Sequence, residues 1–159
     1  MASEDIEAVE GLFAGWRRLL PESGWQPGQP IAERDRAALV AEILGRFEGA
    51  LDPGVEYQED PAWPGADTHR GRDAVLARFR EYFESMNMAA PVLERVTEGR
   101  TGIVAVYLLT GTGVESNTPF EQRIAWPLEV RSGLIRRLAA YFDPAEALRA
   151  AGAPDREAA

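Results

Sequence analysis

The chain has 159 residues, a formal net charge of −9 and no cysteine. That length suits one domain able to bury its core without a staple, and the missing cysteine excludes disulfides, thiolate–metal sites and cysteine nucleophiles. All 17 basic residues are arginine and His69 is the one histidine, which rules out a Schiff-base lysine, a phosphate-loop lysine and a zinc centre of several imidazoles, while the acidic balance makes nucleic acid a poor partner. The first helix is expected from about Asp5 to Leu20, with Ser3 as N-cap and Val9, Leu12, Phe13, Trp16, Leu19 and Leu20 as its apolar face. Residues 21–30 read as a Pro/Gly-rich linker. A second helix, about Ala32 to Gly49, buries Leu39, Val40, Ile43, Leu44 and Phe47.

Asp52-Pro53-Gly54 reads as a turn, Val55 to Glu59 as a short strand, and Trp63 to Asp67 as an irregular loop. A third helix is expected from near Gly71 to near Met88, with Val75, Phe79, Tyr82, Phe83 and Met86 on one side. Four strands follow: about Val92 to Glu98, Ile103 to Thr110, Phe120 to Val130 and Leu134 to Phe142. Asp143, Pro144 and Glu146 form an N-cap, N1 proline and capping-box acid for a short last helix that stops at Gly152. Consecutive strands with segregated helices imply an α+β fold: a cone-shaped, curved antiparallel sheet wrapped around the three helices of the N-terminal half. Residues 1–30 are taken as a helix and linker packed on the same domain, 31–152 as the α+β domain and 153–159 as a flexible tail.

Several short segments carry a resemblance: Leu51 to Tyr57, Glu59-Asp60-Pro61, Arg70 to Val75, Ile124-Ala125-Trp126, Val130 to Ile135 and Tyr141-Phe142-Asp143. Over about Asp52 to Gly152 the chain resembles SnoaL-like proteins of the nuclear transport factor 2-like superfamily, which includes ketosteroid isomerases and polyketide cyclases. The resemblance implies the cone fold, a pocket and pairing into a homodimer through the outer sheet face. It also marks departures. Phe13 stands where the isomerases place a tyrosine donor, Ala125 or Trp126 where they place a late-strand acid, and Ala140 where the cyclases carry an acid–base aspartate. Steroid-type isomerisation is therefore not expected.

Glu59-Asp60-Pro61 resembles the segment holding the isomerase general base, and Asp60 is the expected catalytic acid–base group. A carboxylate in an apolar pocket loses hydration and becomes a better proton carrier. His69 is the expected assisting group. On the strand Phe120 to Val130, alternation puts Phe120, Gln122, Ile124, Trp126 and Leu128 on the cavity face. Gln122 is then a ligand-orienting amide, Trp63 and Trp126 are stacking surfaces, and Tyr107 is a donor to a carbonyl. The expectation is a cofactor-independent, metal-free, cytoplasmic acid–base enzyme of isomerase, cyclase, dehydratase or epoxide-hydrolase type. Its substrate would be a small hydrophobic molecule, with no nucleic-acid or membrane partner. The alternative is a non-catalytic ligand-binding or dimerisation module.

Overall fold

The computed structural model describes residues 2–22, 33–88, 91–116 and 118–153. Two amphipathic helices open the chain, α1 (Ala2–Glu22) and α2 (Glu33–Ala50). Val9, Leu12, Phe13, Trp16 and Leu19 of α1 meet Leu39, Val40, Ile43, Leu44 and Phe47 of α2, all buried in one core. The side chains of Ser3 and Leu20, most of the linker and the tail beyond Ala153 lie outside the described residues. Trp16 is the hub of the helical layer, with its ring edge-on to Phe47 and Phe83 at 5.6 Å and to Tyr107 at 6.0 Å. Among the described residues its buried indole N–H meets no hydrogen-bond acceptor. No described helix is long and apolar enough to cross a membrane.

The chain then forms β1 (Leu51–Gln58), β2 (Thr68–Arg70), α3 (Arg72–Glu84), β3 (Met86–Met88), β4 (Val92–Glu98), β5 (Ile103–Gly113), β6 (Pro119–Arg131), β7 (Leu134–Ala139) and α4 (Pro144–Ala150). The seven strands make one sheet in the order β2-β1-β7-β6-β5-β3, with β4 also on β5. Its backbone is the β5–β6 hairpin, paired from Ile103↔Leu128 to Thr112↔Pro119. The curved α+β architecture follows expectation. One pairing, β1 with β7, is parallel, because α3 and the meander intervene between them.

Two strands escape the sequence pattern. The residues before α3 pair as β2 with β1, placing His69 opposite Tyr57 rather than in a loop entering the helix. Met86–Met88 leaves the helical path expected for it. Ser85 closes α3 through its hydroxyl, which donates to the Tyr82 carbonyl at 2.7 Å, and β3 then pairs with Gly111–Gly113 of β5. Methionine suits a helix well, so only the free edge of β5 decides this. Asp52-Pro53-Gly54 is held inside β1 as an irregularity: Gly54 N–H donates to Asp52 Oδ1 at 2.8 Å, and the register to β7 shifts between Leu51 and Glu56.

Alternation sorts the two sheet faces. Ala105, Tyr107, Leu109, Trp126 and Leu128 face the three helices. Val104, Val106 and Ala125 face outward and are covered by Ala147, Leu148 and Ala151 around α4. That helix begins as expected, with Asp143 Oδ1 accepting from the Ala145 N–H at 3.0 Å. The turn leading into β5 fits only without side chains. A Cβ on Gly102 would stand 2.2 Å from the Leu128 carbonyl oxygen, and one on Gly99 would stand 2.3 Å from that of Ala151. Gly102→Ala is therefore expected to destabilise by about 1–3 kcal/mol through overpacking, read as a lower urea midpoint with unchanged slope.

Candidate ligand site

Strand parity places Val55, Tyr57 and Glu59 on the inner face of the sheet. Glu59 is thereby driven into the interior, where it is 4% exposed. A buried carboxylate persists only if charge and hydrogen bonds meet it, and here both do. Arg78 reaches Oε2 through Nε at 3.2 Å and Nη2 at 2.9 Å. Tyr82 donates its hydroxyl to the same oxygen at 2.5 Å. His69 Nε2 lies 2.9 Å from Oε1; an ionised carboxylate only accepts, so Nε2 carries the hydrogen. Arg78 and Tyr82 stand one turn apart on α3, with the guanidinium 4.8 Å above the tyrosine ring and also bonded to Glu81 at 2.6 Å.

Burial by itself would raise the pKa of Glu59. The bonds from Tyr82, His69 and Arg78 outweigh it and hold the group at about 2. Tyr82 moves the other way: burial and its bond to Glu59 push it to about 12. Its single proton is committed to Glu59, so the Tyr57 hydroxyl, 3.1 Å away, donates to Tyr82. Burial, with the neighbouring Tyr82, pushes Tyr57 up as well.

Beside this network is a part-open cavity of about 90 Å³. Trp16, Phe47, Phe79 and Phe83 of the helices, Tyr107 and Trp126 of the sheet, and Tyr57, Tyr82 and both acids Glu59 and Asp60 line it. Trp63 and Phe142 form its rim with rings 4.9 Å apart, and Trp63 is 43% exposed. Wider open grooves of about 440 and 510 Å³ lie on the outer side of the sheet. Their walls carry surface pairs such as Arg137–Glu129. The two buried charged side chains among the described residues, Glu59 and Asp60, both belong to the small cavity instead.

Asp60, expected as the acid–base group, does line the cavity and is 5% exposed. Its first role is structural: Oδ1 accepts from the Ala62 N–H at 2.9 Å and Oδ2 from the Phe142 N–H at 3.1 Å. These bonds fasten the loop after β1 to the chain leaving β7. His69 sits behind Glu59, outside the lining, with its ring stacked 6.0 Å from Tyr57. Trp126 and Tyr107 are buried in the cavity wall and Trp63 is at the mouth. Gln122 is on the inner parity of β6 but outside the lining, and its amide donates to the Arg123 carbonyl at 3.0 Å. Sequence reasoning passed over Glu59, Tyr57, Arg78 and Tyr82 as a group. The alternation Val55-Tyr57-Glu59 was the available signal for the first two.

No protein-family model matches the chain, and no curated protein does. Solved structures of the same fold are found. A candidate SnoaL-like polyketide cyclase from Jannaschia superposes with a TM-score of 0.65 at 15% identity, covering 97% of this chain and 95% of that one. A nuclear transport factor 2-like protein from Burkholderia xenovorans gives 0.54 at 21% identity, covering 96% and 98%. A hypothetical protein with a ketosteroid isomerase-like fold from Catenulispora acidiphila, in complex with trimethylamine, gives 0.54 at 15% identity, covering 70% and 83%. At such identities the likeness is one of fold.

The lowered pKa of Glu59 has a signed consequence. Stability drawn from its ionised form is full above an ordinary glutamate value of 4.5 and is lost as pH falls toward about 2. Urea melts between pH 7 and pH 2 are expected to lose stability across that window. Glu59→Gln is expected to flatten this loss and to cost about 3 kcal/mol at pH 7, because Arg78 loses its buried partner.

Proposed function

On the premise that the chain has the nuclear transport factor 2-like fold, we propose that its cone is a binding pocket for a compact, largely apolar small molecule. The observation that carries this reading is the aromatic cavity with two buried carboxylates in its wall. Its volume of about 90 Å³ is several times the roughly 10–15 Å³ that one water needs. It is also well below the roughly 300–1,000 Å³ of sites for drug-sized ligands. The ligand is therefore small rather than polycyclic. The trimethylamine held by one fold neighbour supports this size class.

Binding without turnover is favoured by the electrostatics. A general base or acid works best with a pKa near the working pH. Glu59 is held at about 2 and Tyr82 at about 12, so neither exchanges a proton readily at neutral pH. The second reading is a cofactor-independent acid–base enzyme in which Asp60 moves the proton. What supports it is that Asp60 is buried, lines the cavity and meets no cation among the described residues.

Two variants separate these readings. Ala140 lines the cavity, and Ala140→Phe is expected to fill it. Quenching of tryptophan fluorescence by a panel of compact ligands, phenol among them, should then be lost while the thermal melt stays within a few degrees of wild type. Quenching unchanged by the larger side chain would sink the pocket reading. Asp60→Asn, assayed on compact carbonyl and epoxide compounds, is expected to abolish any turnover the wild type has if the enzyme reading holds. Turnover that survives this change removes Asp60 from the chemistry.

A further inference from the structure

Charge at the cavity wall does not balance. Glu59 is met by Arg78 and His69, neither of which lines the cavity. Asp60 is as deeply buried as Glu59, and among the described residues only the backbone N–H groups of Ala62 and Phe142 meet its carboxylate. Each Asp60 oxygen therefore accepts one bond and keeps further acceptor capacity. A buried carboxylate without a counter-charge is costly unless something supplies one.

The rest of the wall fits a cation. Ring faces carry the negative end of an aromatic quadrupole, and a desolvated ammonium is attracted to several such rings at once. Trp63 and Phe142 stand at the mouth beside Asp60, and Tyr82, Phe79 and Trp126 continue inward, with the Phe79 and Trp126 rings stacked 6.3 Å apart. The cavity, at about 90 Å³, takes a compact cation and excludes a long one. An anion would face the Asp60 carboxylate, which no cation among the described residues offsets, and is disfavoured.

Resting on the pocket reading above, we infer that the ligand is a small alkylated ammonium ion, its charge facing Asp60 and its methyl groups against the aromatic wall. Tetramethylammonium and tert-butanol, a neutral molecule of similar size and shape, are the probes. Each is titrated into the full chain, with the indole proton resonances of Trp63 and Trp126 as the readout. The cation is expected to bind at least about tenfold more tightly than the alcohol. Asp60→Asn is expected to erase that preference, leaving the alcohol's affinity within about twofold. Because Asp60 also tethers the backbone, Trp63→Leu at the exposed rim is the second variant; it should weaken the cation by more than it weakens the alcohol.

Equal affinity for the two probes in the wild type would overturn the inference and leave the pocket standing. So would binding of phenol alone. Loss of preference in neither variant would also overturn it. Failure of both probes, and of phenol titrated alongside them, to shift the indole resonances would instead remove the pocket reading itself.

Discussion

Glu59 sits at the end of β1 as a carboxylate withdrawn from water, and the elements around it are arranged to meet its charge. His69 comes from β2, and Arg78 and Tyr82 come from α3. These contacts hold the β1–β2 hairpin against α3. Without them the inward parity of β1 would place an unpaired charge in an aromatic core, a cost of several kcal/mol. The same bonds explain why the group is so strongly acidic. Three kinds of donor favour its ionised form, and their sum exceeds the penalty of burial.

Asp60 solves a different problem one residue later. The strand ends at Gln58, the chain turns at Pro61, and the carboxylate is drawn inward by two amide donors rather than by strand alternation. The pair of adjacent acids thus divides its work. One is neutralised by side chains and organises the hairpin and helix. The other is satisfied by backbone alone, and its charge is left to the cavity. The two acids lie side by side in the sequence, yet among the described residues only the first is met by charged side chains.

The aromatic residues both pack the core and line the cavity. Trp16 meets Phe47 and Phe83 edge to face and helps fix the helices over the sheet, each such contact adding about 0.5–1.5 kcal/mol beyond burial. Phe79, Trp126 and Tyr82 extend this cluster to the cavity, and Trp63 with Phe142 carries it to the surface. A tightly interlocked interior keeps the hollow small. That packing, rather than the fold's general shape, sets the size of the hollow.

Periodicity alone settled much of this protein. The apolar faces of α1 and α2, the face of β6 that carries Ile124 and Trp126, and the Asp143-Pro144 start of α4 were all legible, because each follows from local spacing or local hydrogen bonding. The strand alternation through Val55 and Tyr57 extends to Glu59 as well, while the proline beside Asp60 drew attention to the second acid of the pair, which also lines the cavity. What the sequence could not supply is pairing over distance. β2 and β3 exist because edges of β1 and β5 were free to take them, and β1 lies parallel to β7 across most of the chain. The meeting of His69, Arg78 and Tyr82 on one carboxylate, and the absence of such partners for its neighbour, depend on how α3 packs against the hairpin. Spacing along a chain says which side chains share a face; it takes the folded elements to say which charges face one another.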